Sequence, residues 1–161
     1  MTTSPVSNKT KQKTGSQKAR NSAARLLGVQ AVYQMYKNDQ DAKAVVKEYL
    51  IHRIGMEVDG ERMVSANEEH FAKLVQGVEE HFEQLSEMVK QNRTKDSSKQ
   101  EPLLHALLLS GAYELMMMPS IDYPIILSDY VHVAQAFFDD NESKLVNAVL
   151  DSIRKTVRET A

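Results

Sequence analysis

The residues able to do chemistry are few, and their spacing argues against catalysis. Five histidines invite a metal-binding reading. His70 and His81 share a helix face but stand eleven residues apart, roughly 16 Å at the rise of an α-helix, too far to hold one ion. His52, His105 and His132 have no partners at ligand spacing, so no metal site is expected. Serine, histidine and aspartate all occur, but without a nucleophile elbow, and there is no glycine-rich phosphate loop. With zero cysteines, disulfides, thiolate metal sites and cysteine nucleophiles are excluded. No catalytic residue and no cofactor are expected.

What remains is charge. The chain has 20 Lys+Arg against 22 Asp+Glu, but the cations are unevenly placed. Lys9, Lys11, Lys13, Lys18, Arg20, Arg25 and Lys37 precede the first acidic residue, Asp39. Subtracting these 7 from 20 leaves 13 cations against 22 acids, a body near −9. A basic segment ahead of an acidic body suits a polyanion such as nucleic acid; the other reading is an inert, solubilising tail. No window approaches 18 unbroken apolar residues and no apolar run precedes Leu26, so neither a membrane span nor a secretory signal is expected. The chain is read as cytoplasmic.

The elements that must carry these cations read as helices. Residues 1–15 lack apolar periodicity and are expected to form a disordered basic tail, leaving 16–161 as one all-helical domain. From Ser16, Ala24, Leu27, Ala31 and Met35 recur at helical spacing, and "NDQD" at 38–41 closes that helix. A short helix follows over 42–52, and "RIGMEVDGERMV" reads as a loop. An echo comes next: "EEHFAKLVQGV" (68–78) and "EEHFEQLSEMV" (79–89) agree at six of eleven positions. Eleven residues make almost three turns, so one amphipathic helix is expected, opened by a Ser65–Glu68 capping box. "EPLLHALLLSGAYELMMMP" is apolar on every side, which predicts a central helix that Pro119 ends, with Met116–Met118 in the core. A fifth segment covers "IILSDYVHVAQAFF". The last, after "DDNE", carries a core face of Leu145, Val149, Leu150, Ile153 and Val157. On its other side Asn147, Asp151, Arg154 and Arg158 form a stripe read as solvated. No convincing strand alternation occurs.

Four stretches together resemble the NusB family. "AARLLGVQAVYQM" is similar to its first helix at Val29, Gln30, Ala31 and Tyr33, and "FAKLVQGV" matches through Phe71, Leu74, Gly77 and Val78. "AYEL" (112–115) is similar to the central helix, and "LVNAVLD" (145–151) to the family's F-V-N-G-V-L-D. The resemblance covers about residues 18–155. It implies an all-α helical bundle of two three-helix subdomains without enzyme activity. It implies partners too: boxA-like single-stranded RNA of ribosomal RNA operons, the ribosomal protein NusE, and the RNA polymerase antitermination complex. The implied RNA contacts are Arg25, matched directly, and Lys18 and Arg20, in place of neighbouring arginines; Lys144 and Asn147 in the last motif join them as candidates. The RNA-binding domain of ribosomal RNA cytosine methyltransferases also resembles NusB, so a stand-alone domain of that kind is the alternative, and a structural helical dimer a third reading. Leu109 stands where members often carry Arg, Ser128-Asp129-Tyr130 where many read N-E-A, and Leu145 where Phe is usual.

Overall fold

Ser16 opens the first helix: its hydroxyl accepts the backbone N–H of Ala19 at 3.1 Å, filling one of the donors a helix start leaves free. A computed structural model describes residues 15–53, 57–58, 61–62, 65–93 and 101–158. Helix α1 runs Gln17–Lys37 and closes through Asp39, whose φ of 53° turns the chain in the left-handed region. Asp41 caps α2 (Ala42–His52), accepting from Ala44 N at 2.8 Å. The stretch expected to be a loop contains a small antiparallel pair, β1 (Glu57–Val58) with β2 (Glu61–Arg62), Glu57 opposite Arg62. The remainder of the tail expected at 1–15, up to residue 14, lies outside the described residues.

Helix α3 is Glu68–Glu80, and its cap differs from expectation. Asn67 is the N-cap, its side chain accepting from His70 N at 3.1 Å, so Glu68 is the first helical residue and not the third. Asn67 is held there from α1: its N–H donates to Arg20 O at 3.0 Å and its amide to Asn21 Oδ1 at 2.8 Å. The echo is also not one helix. His81, at φ −110° and ψ 25°, ends α3, and α4 (Phe82–Asn92) follows directly. Each repeat packs elsewhere: Phe71 is buried against Tyr49 with ring centroids 5.4 Å apart, whereas Phe82 lies 4.6 Å from Tyr36. Helix α3 lies on α1, α2 and α5, and α4 on α5 and α7. A single straight helix could not serve both.

Pro102 in the first turn and Glu101 as N-cap start α5 (Pro102–Met117). As expected of a helix apolar all round, it is central, touching α1, α3, α4, α6 and α7. Gly77 shows how close the approach is: a Cβ there would run into the ring of Tyr113. Helices α6 (Tyr123–Phe137) and α7 (Asp140–Val157) complete the bundle, α7 opening with Glu142 accepting the N–H of Asp139 at 3.2 Å. Val146, Val149, Leu150 and Ile153 form its buried face, with Leu145 and Val157 partly covered. The break at His81 brings the number of helices among the described residues to seven.

The stripe on α7 is not all solvated. Asp151 pairs with Arg154 at 2.8 Å, and Arg154 stacks 4.2 Å above the Tyr123 ring. Arg158 does more. Its guanidinium donates to four carbonyls where α5 ends: Leu115 at 2.9 Å, Glu114 at 3.2 Å, Met118 at 2.7 Å and Ile121 at 2.5 Å. Glu114 O and Met118 O also accept the backbone N–H groups of Met118 and Ile121, so the planar fork adds a second donor to each while reaching Leu115 O and Ile121 O as well.

Candidate nucleic-acid interface

Arg25 does not face solvent. It is 2 % exposed, and its guanidinium grips Glu114 bidentately, Nε to Oε2 at 2.8 Å and Nη2 to Oε1 at 3.0 Å. Its remaining nitrogen, Nη1, donates to Asp129 Oδ2 at 2.6 Å. Arg25, expected as an RNA contact, has every donor edge turned inward, and extracting it would strand a buried carboxylate. Tyr130 donates its hydroxyl to Glu114 Oε2 at 2.6 Å, and His70 Nε2 lies 3.1 Å from the same oxygen. Burial alone would push the Glu114 carboxyl up, but His70 and Arg25 together hold it down at about 2. Burial, then the neighbouring Glu114 charge, raises the Tyr130 phenol well above its ordinary range.

None of this polar centre was anticipated, yet one signal pointed to it. Glu114 is the one acid between Pro102 and Met118, in a helix apolar on all sides. A carboxylate there needs a buried cation, and Arg25 is the arginine within the apolar run of α1.

The other expected contacts are differently placed. Lys18 is exposed on the first turn of α1 and makes no ion pair among the described residues. Arg20, half-buried, has one weak contact from Nη1 to Gln17 Oε1 at 3.5 Å, and its Nε has no hydrogen-bond partner. The first turn of α1 carries no acid, unlike those of α3, α4 and α7, so helix dipole and side chains present one sign of charge. Lys144 and Asn147 are exposed on α7 and line a groove of about 390 Å³ with Val131 and Gln135 of α6.

These two patches are not in contact. Asp129 faces α1, accepting from Ser22 Oγ at 2.9 Å as well as from Arg25. Val131 and Gln135 lie about 200° and 240° further round the same helix, on the flank toward α7. Exposed Ser128 and His132 form the ridge between the flanks. Helix α6 thus separates Lys18 and Arg20 from Lys144 and Asn147, while fixing the span between them. Leu109, which departs from the arginine that the resemblance implied, is 1 % exposed and borders an apolar groove with Tyr33, Tyr36 and Phe82. Among the described residues no group of three His, Cys, Asp or Glu side chains could hold a metal ion, and no helix is long and apolar enough to cross a membrane.

This is an all-helical bundle built round one apolar helix, and its likeness to solved structures defines the class. A structure of T. maritima NusB aligns with a TM-score of 0.68 at 18% identity, covering 89% of this chain and 92% of that one. A chain in the crystal structure of antitermination factors NusB and NusE in complex with dsRNA aligns at 0.71 and 20% identity, covering 86% and 98%. At those identities the likeness is one of fold. Sequence takes it further. The sequence model of the NusB family matches residues 22–155. The transcription antitermination protein NusB of Rhizobium etli is 39% identical over 141 residues, 86% of this chain and 88% of that protein. Its counterpart in Allorhizobium ampelinum is 39% identical over 153 residues, 94% of each. The chain belongs to the NusB family.

Proposed function

We propose that this protein is a cytoplasmic transcription antitermination factor that binds boxA-type RNA of ribosomal RNA operons together with NusE, as part of the RNA polymerase antitermination complex. The observation that carries this reading is the 39% identity, over 94% of both chains, to a protein named for transcription antitermination. The solved relative described with NusE and dsRNA supports the partners. The relatives from Rhizobium etli and Allorhizobium ampelinum are both named for transcription antitermination, which favours this reading over a stand-alone domain related to that of ribosomal RNA cytosine methyltransferases.

In this reading Lys18 and Arg20 grip phosphates at the start of α1, and Lys144 and Asn147 meet the same strand beyond the α6 ridge. Lysine and arginine supply affinity through phosphate neutralisation; Asn147, carrying both a donor and an acceptor, can read a base edge. Arg25 is left out, its role being structural. The test is a filter-binding titration of the full chain with a boxA-like RNA and a scrambled RNA of equal length, with and without NusE. Preference for boxA that sharpens with NusE supports the proposal. Equal retention of both RNAs under both conditions refutes it.

A further inference from the structure

The start of α1 is fastened to the bundle by two separate devices. On one side Asn67 holds Asn21 and the carbonyl of Arg20, tying α1 to α3. On the other, Asp129 receives Ser22 Oγ at 2.9 and 3.0 Å and Arg25 Nη1 at 2.6 Å, tying α1 to α6. Those contacts to Asp129 are, among the described residues, the hydrogen bonds that join α1 to α6. Asp129 is 14 % exposed and lies at the edge of the buried polar centre. Its removal leaves Arg25 still gripped by both oxygens of Glu114, 0 % exposed. Holding the core together and setting the pitch of α1 are thus separate tasks of neighbouring carboxylates.

We propose that Asp129 is a positioning residue for RNA. It fixes Lys18 and Arg20, one turn and half a turn before Ser22, at a set span from Lys144 and Asn147 across α6. The inference rests on the RNA-binding reading above. A strand that must meet both patches is bound best when their separation is fixed beforehand, because flexibility between them has to be frozen on binding. The Asp129 carboxylate is turned to α1 and acts through Ser22 and Arg25.

The test exploits the absence of cysteine from the chain. Gln17, at the start of α1, and Ala148, on α7, are both exposed and accept spin labels after Gln17→Cys and Ala148→Cys. In the labelled full chain, Asp129→Ala should broaden the distance distribution between the labels. In the unlabelled chain it should weaken boxA RNA binding by about tenfold, the scale at which residues coupled to a site without touching its ligand act. The thermal midpoint should move by less than about 5 °C, since Glu114 keeps its grip on Arg25. Asp129→Glu, which keeps the carboxylate, should restore both readouts. Ser22→Ala removes one tether only and should give the same changes at about a third of the size in affinity, so the inference stays testable if Asp129→Ala fails to fold. It is overturned if the distances stay narrow in the folded variants, or if RNA affinity matches the parent's. If the parent binds no RNA, the functional reading fails instead, and the distance measurement alone decides whether Asp129 sets the span.

Discussion

Lys18, Arg20 and Arg25 look alike in sequence and do different work. Replacing Lys18 and Arg20 together by alanine removes one exposed and one half-buried cation from a helix turn where alanine is favoured, so RNA affinity should fall while thermal stability holds. Arg25→Ala should do the reverse first: leaving Glu114 buried without its guanidinium partner costs about 3–5 kcal/mol, read as a lower midpoint in urea unfolding. Glu114 makes this dependence visible in pH. Its folded pKa of about 2 lies below the ordinary 4.5, so the unfolded chain takes up the proton first as acid is added. The contribution is full above about pH 4.5 and drains away as pH falls toward 2; Glu114→Gln should flatten that limb of a stability–pH profile. The sequence placed Arg25 in the correct motif but could not show which way it points. A family match assigns a residue to a position, and only the carboxylate waiting opposite decides between solvent and core.

At the scale of elements, helical periodicity marked the helices that bury one face, because the spacing of apolar residues records that face, while unbroken apolarity after Pro102 marked α5. It missed the break at His81 because both echoed units are amphipathic in their own right. A continuous helix and two helices meeting different neighbours leave the same pattern. It also read Arg158 as solvated, since the carbonyls that claim it lie 40 or so residues earlier in the chain. Arg158→Ala should take this donor from Leu115 O and Ile121 O at the end of α5 and destabilise the fold by about 1–3 kcal/mol in chemical denaturation. Arg158→Lys should not restore it, because a single ammonium on a flexible stem cannot span four acceptors as a planar fork does.

At the scale of the whole molecule, a basic helix start sits on a body near −9. Such a surface attracts RNA locally and repels it elsewhere, so the protein alone should bind modestly. If Lys18, Arg20 and Lys144 each neutralise one phosphate, log K should fall against log salt with a slope of about −2, at roughly −0.7 per contact on a single strand. A basic partner covering part of the acidic body would add to that affinity. Reciprocity then requires RNA to tighten NusE by the same factor that NusE tightens RNA. Isothermal titrations in both orders check this, and affinities unchanged in both orders would contradict a coupled complex.

The position of α5 bears on how the molecule opens. It touches five of the other six helices, whereas α2 touches α1 and α3 alone. Amide protons along the buried stretch from Ala106 to Leu115 are shielded on every side, so they exchange with solvent only when the entire bundle comes apart. Those of α2 are released by a local opening that leaves α1 seated on α5. Of the helices here, α2 is the one the protein can let go of while keeping its grip.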